Sequence, residues 1–155
     1  MRRLLVTALA LCLGACTAPQ PGATAPVAKG PIHAPGSPEE TAAEIYWRGM
    51  DYLDGRGMPR DDAKGLALLQ SAADKGFAEA QFMLGLLYDT GRAVNEDPAV
   101  AAAWYAKAAA QKHPEAEFLL GLDYYRGRGV RQNDAQAVKL FGEAAARNAA
   151  AAYHL

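Results

Sequence analysis

From Ser37 onward, small and apolar side chains recur three or four positions apart, the spacing of one face of an α-helix. In the middle of the chain Ala80, Phe82, Leu84, Gly85 and Tyr88 form one such stripe, and Ala102, Trp104, Tyr105 and Ala108 form a second. Between them lies "YDTGRAVNED", polar and glycine-containing, which reads as a turn. The pattern predicts two helices joined by a short turn, and it does not occur once. At a period of 36 residues Gly49 aligns with Gly85 and Gly121, Tyr52 with Tyr88 and Tyr124, and Gly55 with Gly91 and Gly127. Met58, Val94 and Val130 align as well, as do the alanine pairs 72–73, 108–109 and 144–145, and no gap is needed.

Local chemistry suggests where the helices begin and end. Ser37-Pro38-Glu39-Glu40 has the layout of a first helix start, with serine as cap, proline in the first turn and Glu40 closing a capping box. Gly55, Gly91 and Gly127 suit the left-handed conformation that ends each first helix. Asp61, Asp97 before Pro98, and Asn133 before Asp134 are good caps for the second helices. The inner stripe of the first of these is Leu66, Leu68, Leu69 and Ala72. Glu44 and Arg48 stand where the next unit has Ala80 and Leu84, so the first unit is expected to present a polar, solvent-facing cap. The tail "AAARNAAAAYHL" reads as the start of a fourth first helix.

The turn "DGRG" at 54–57 invites two sharper readings, and the spacing supports neither. A phosphate-cradling loop requires Lys followed by Ser or Thr at the opening of a helix after a strand, whereas Lys64 is followed by Gly65. A calcium loop requires carboxylates at alternate positions before its glycine, and Asp51, Asp54, Asp61 and Asp62 are not so placed. Its return as "TGRA" and "RGRG" makes it punctuation in an array.

The two-part pattern, AxAxFxLGxxYxxGxGV followed by Dxx(K)AxxWYxxAAxxG, resembles the Sel1-like repeat family, relatives of the tetratricopeptide repeats. A single helix pair cannot cover its own apolar stripe, so pairs must stack. The expected fold is all-α: a short right-handed α-solenoid of about three helix-turn-helix repeats, over about 42–77, 78–113 and 114–149, with a partial fourth helix at 150–155 inside a domain spanning 37–155. The resemblance implies a concave face lined by the first helix of each pair. By analogy with tetratricopeptide arrays its columns would be Met50, Leu86 and Leu122; Leu53, Asp89 and Tyr125; and Asp54, Thr90 and Arg126, with Glu79 and Glu115 near the helix starts. An apolar column flanked by polar groups suits a peptide. Each of these side chains has a second reading, as part of the interhelical core or as a solvated charge. Trp47, Met83 and Leu119 form a further column open to both.

The N-terminal end has a different composition. Arg2 and Arg3, an apolar run from Leu4 to Leu13, then Gly14 and Ala15 have the layout of a secretory signal, and the run is too short to span a bilayer. Leu13-Gly14-Ala15-Cys16 resembles the bacterial lipobox, which implies cleavage after residue 15 and lipidation of Cys16; Thr17 after the cysteine favours outer-membrane delivery. Residues 16–36 are rich in Pro, Gly and Ala and read as a tether, with His33 a solvated linker residue. Loss of residues 1–15 takes Lys+Arg from 16 to 14 against 17 Asp+Glu, a net charge of −3, which argues against a nucleic-acid partner. No free thiol would then remain, since Cys12 is removed and Cys16 acylated.

No nucleophile, base and orienting group converge in the sequence, and no cofactor or metal is expected. His113 precedes Pro114 at a helix start, where it suits a cap, and His154 lies one residue from the end. The leading expectation is a non-catalytic adaptor, an outer-membrane lipoprotein facing the periplasm, that binds a segment of an envelope protein. Two alternatives are an immunity or inhibitor lipoprotein, and a weak cell-wall or β-lactam hydrolase of the kind attributed to disulfide-rich relatives whose cysteine pairs this chain lacks.

Overall fold

The computed structural model describes residues 40–152, and side chains through residue 148. The signal segment, Cys16, the tether and the Ser37 cap lie outside the described residues. Six helices follow in order: α1 (Ala42–Asp54), α2 (Asp62–Asp74), α3 (Ala78–Thr90), α4 (Pro98–Ala110), α5 (Pro114–Arg126) and α6 (Asp134–Ala152). No strand occurs among the described residues. All extensive packing is between helices consecutive in the chain, α1 with α2, α2 with α3 and onward to α6. That is the contact pattern of a one-dimensional array, in which each repeat is supported by its neighbours.

Two apolar clusters follow one another along the array. The first contains Ile45, Tyr46, Leu53, Leu69, Leu84, Leu87 and Trp104, drawn from α1 to α4. The second contains Ala101, Ala102, Tyr105 and Leu120, with Phe82, Leu119 and Leu140 at its margin. Helix α4 therefore serves both clusters, with Trp104 in one and Tyr105 in the other. Its alanines keep the helices close: Ala101, Ala102 and Ala108 are all essentially without solvent contact. Gly85 is required for the same reason, because a β-carbon there would lie 2.4 Å from the edge of the Tyr105 ring. A β-carbon on Gly121 would meet the Phe141 ring at 2.7 Å, so the third repeat uses the same device.

The turns are built three times on one plan. Gly55, Gly91 and Gly127 adopt φ of 67°, 68° and 68°, and their N–H groups donate to the carbonyls of Asp51, Leu87 and Asp123. The N–H groups of Asp61, Asp97 and Asn133 then donate to the carbonyls of Tyr52, Tyr88 and Tyr124, each at 2.9 Å. Asp61 and Asp97 cap α2 and α4 as expected, and the Asn133 side chain accepts from Gln136 N–H at 3.1 Å.

Two boundaries differ from expectation. Helix α1 starts at Ala42, capped by Thr41, and Glu44, not Glu40, closes the capping box. Glu40 instead forms a two-pronged bond with Arg48. The pair that was expected to face solvent as a polar cap is thus occupied, Glu44 at the helix start and Arg48 by Glu40. At the other end the helical tail through Ala152 is a direct continuation of α6. The earlier repeats break at this point through left-handed Gly76 and Lys112, followed by Phe77 and His113. Asn148 and Ala149 stand at the equivalent positions. With alanine on both sides of the junction, helical propensity favours continuation.

Candidate functional site

The expected binding columns separate once their burial is known. Met50, Leu86 and Leu122 are half-buried at equivalent positions of α1, α3 and α5, and Met50 and Leu86 rest on the margins of the two core clusters. Leu53 does not line a surface. It is 1% exposed, seated against α2 where Gly65 leaves room, since a β-carbon on Gly65 would lie 2.7 Å from Leu53 Cγ. Its counterpart Asp89 is half-buried and ion-paired to Arg128, while Tyr125 is 58% exposed. One repeat position therefore holds a core leucine, a paired carboxylate and a free aromatic ring.

In the third column Asp54 accepts from Arg92 at 2.8 Å and also bonds Arg56. The exposed Thr90 donates its hydroxyl to the Leu86 carbonyl of its own helix at 2.6 Å. Arg126 is exposed. Glu79 and Glu115 are exposed, and a Glu115 carboxylate oxygen lies 3.3 Å from His113 Nδ1. His113 caps α5 by accepting from Ala116 N–H, and its ring stacks on Phe82 at 4.6 Å. In the column 47, 83 and 119, Trp47 is 58% exposed, whereas Met83 and Leu119 pack against the core.

Sequence reading missed a recurring ionic staple. The arginine inside each turn from the second repeat onward reaches back one repeat. Arg92 bonds Asp54, and Arg128 bonds Asp89 through its carboxylate, the Asp89 carbonyl at 3.1 Å and Glu96 at 2.8 Å. The signal was the GR pair at 55–56, 91–92 and 127–128, with an acid one or two residues before the glycine of the preceding repeat. The hydrogen bond from Arg92 holds the Asp54 carboxyl below its usual range.

Two buried carboxylates were missed as well. Glu117, 1% exposed, is held by the Arg147 guanidinium at 2.9 Å. At the same positions one repeat earlier stand Gln81 and Gln111, which bond each other at 2.8 Å. Asp123 is 7% exposed and its Oδ2 has no hydrogen-bond partner, nor does the hydroxyl of Tyr105. Burial, then the nearby Asp89 charge, pushes the Asp123 carboxyl up to about 6 against the opposing pull of Arg128 and Arg126. Burial likewise raises the Tyr105 hydroxyl. Among the described residues no group of three or more His, Cys, Asp or Glu side chains is arranged to hold a metal, and no helix is long and apolar enough to cross a membrane.

Stacked helix pairs with identical turns and a strip of half-exposed side chains along their first helices define a helical-repeat protein. The chain belongs to the Sel1 repeat family, whose model matches residues 45–77, 78–113 and 114–148. Proteins of this family generally mediate protein–protein interaction and typically serve as non-enzymatic scaffolds. Among solved structures, a protective antigen present in uropathogenic Escherichia coli strains and displaying an SLR fold is 35% identical, with a TM-score of 0.67 over 68% of this chain. The match spans only 23% of that antigen's length. A Sel1 repeat protein from Oxalobacter formigenes is 33% identical, with a TM-score of 0.66 over 68% of this chain and 80% of that one. Cysteine rich protein B of Helicobacter pylori shares the fold at 23% identity and a TM-score of 0.55, over 69% of this chain and 90% of its own. No curated protein matches the sequence.

Proposed function

We propose that the protein is a lipid-anchored adaptor of the bacterial envelope, tethered through Cys16 to the outer membrane and facing the periplasm, that holds a segment of another envelope protein. One observation carries the binding reading: Met50, Leu86 and Leu122 leave an apolar side chain half-exposed at the same position of three successive repeats. A partner segment lying along the array would cover all three at once. The exposed charged groups Glu79, Glu115 and Arg126 supply register, which suits an extended or helical segment more than a small molecule. The sequence at residues 13–16 supports the anchor by its resemblance to a lipobox. Membrane attachment by several acyl chains on one residue would be stable, since one chain alone binds marginally.

The test is crosslinking in intact cells from the strip, with captured protein identified by mass spectrometry. Leu86→Glu/Leu122→Glu should abolish capture while leaving the helical circular-dichroism spectrum intact. Undiminished capture by this variant would overturn the binding reading. Cys16→Ala should move the protein from the membrane to the soluble fraction and remove acyl labelling; a membrane-bound, labelled Cys16→Ala protein would overturn the anchor.

A further inference from the structure

The three repeats act as internal controls for one another, and by that measure the third turn is different. Residues 50–62 carry four carboxylates against two arginines, and residues 86–98 carry three against one. The equivalent residues 122–134 carry two carboxylates against three arginines, so the net charge changes from −2 and −2 to +1. In the first two turns the arginines are neutralised: Arg56 by Asp54, Arg60 by Asp62 at 2.7 Å, and Arg92 by Asp54. In the third, Arg128 is occupied by Asp89 and Glu96, while Arg126 and Arg131 are exposed and form no ion pair among the described residues. The carboxylates of this turn form no ion pair with them, although the Asp123 carboxyl feels the Arg126 charge. Asp123 is buried, and Asp134 accepts from Gln132 at 3.4 Å.

Aromatic residues accompany these two arginines in the chain. Tyr125, adjoining Arg126, is 58% exposed. Arg131 lines an open cleft of about 580 Å³ together with Tyr124, Val130, Gln132 and Asn133. Gln132 lines the same cleft, and its side-chain amide donates to the Tyr125 backbone carbonyl at 3.0 Å. The end of α5 and the turn after it thus carry two guanidinium groups without an ion-pair partner among the described residues, an exposed phenol and a cleft lined in part by Tyr124 and Val130. Guanidinium groups match carboxylates in two-pronged geometry, and desolvation against an aromatic neighbour strengthens the pairing.

We infer that the third turn, Tyr125 to Asn133, is a docking site for an acidic segment of the partner protein, with Arg126 and Arg131 taking its Asp or Glu carboxylates and Tyr125 with the cleft taking an intervening apolar side chain. This rests on the protein-binding reading above and gives the partner its chemistry. The two negatively charged turns of the first and second repeats repel the same segment, so its acidic part is directed to the third-repeat end of the array.

The experiment uses the full chain and a fluorescein-labelled ten-residue peptide alternating Glu and Leu, with Gln replacing Glu in the control, followed by fluorescence anisotropy at low and physiological salt. The Glu peptide should bind at least about tenfold more tightly than the Gln peptide, and raising the salt should weaken it. Arg126→Glu/Arg131→Glu should remove the preference, the milder Arg126→Gln/Arg131→Gln should reduce it, and Arg56→Glu/Arg60→Glu should leave it unchanged. Equal binding of the two peptides, or equal loss from the Arg56/Arg60 variant, would overturn the inference. So would tighter, Arg126- and Arg131-dependent binding to vesicles of phosphatidylglycerol and phosphatidylcholine, which would assign the patch to lipid headgroups. In the cell, full capture by the Arg126/Arg131 variant with none by the Leu86/Leu122 variant would sink the acidic segment and leave the binding reading standing; the reverse would sink the apolar strip.

Discussion

Asp123 offers the sharpest test of the physical account. Its carboxyl is 7% exposed, one oxygen has no partner, and it titrates at about 6 against the 3.8 of a free aspartate. A folded-state value raised by about two pH units corresponds, at about 1.4 kcal/mol each, to about 3 kcal/mol. The sign follows from proton linkage. The folded chain holds this proton more tightly than the unfolded chain, so the stabilisation is complete below about 3.8 and is lost as pH rises through about 6. Above that pH the fold must keep an underpartnered charge buried. Asp123→Asn keeps the size and removes the charge. At pH 8 the variant should therefore be more stable than the wild type by about 1 to 3 kcal/mol, the lower figure allowing for an amide that is itself imperfectly paired. At about 4 °C per kcal/mol for a domain of this size, its melting temperature should rise by about 4 to 12 °C at pH 8. The two curves should converge near pH 4. Urea unfolding and thermal melts of the full chain from pH 4 to 8 measure this directly. A variant that is less stable at pH 8, or a difference independent of pH, would refute the assignment of a destabilising buried charge.

The remaining predictions address the staples and turns. Arg147→Ala should destabilise by about 3 kcal/mol because it strands the buried Glu117 carboxylate, whereas Glu117→Gln/Arg147→Gln should recover most of the loss by rebuilding the pair present at Gln81 and Gln111; chemical denaturation distinguishes them. Lys112, exposed and at φ 68°, should gain about 0.5 to 1 kcal/mol on replacement by glycine, while Gly129→Ala should lose about 2 kcal/mol or more, since its β-carbon would collide with the Pro98 carbonyl at φ 70°. Opposite shifts in melting temperature are the expected readout. Arg128→Ala removes an attractive charge from Asp123, so that carboxyl should titrate higher than about 6 and the variant should lose more stability at pH 8 than at pH 5, as followed by carboxyl NMR titration and melts. As pH falls from about 4 through the lowered folded-state range of Asp54, stability should fall in every variant that retains the Asp54 staple, because the carboxyl that Arg92 holds ionised must then take up a proton.

Much of this protein was legible in one dimension because the array is nearly one-dimensional. A period of 36, the left-handed turn glycines and the Asp and Asn caps act over a few residues, so the repeat boundaries, the second-helix starts and the turn geometry could be read locally. Even the role of His113 was visible, since a capping side chain and its amide lie three residues apart. The first cap was misplaced because Ser37 and Thr41 both begin plausible capping boxes, and the choice falls to Thr41 with Glu44 beside it.

Distances across the array were another matter. Leu53, Asp89 and Tyr125 share a repeat position, yet the Gly65 hollow buries the first, Arg128 neutralises the second, and the third stands exposed. The first two outcomes depend on residues 12 and 39 positions away, which no local pattern specifies. The same holds for Glu117 with Arg147 and for the unpartnered Asp123: their environments are made only when α5 is packed between α4 and α6. The sequence by itself determined the repeated helical unit, because helix period, caps and turn conformations are short-range physics. The tertiary structure decided which members of each column are core, staple or free surface, because burial and charge pairing are properties of neighbours brought together by stacking.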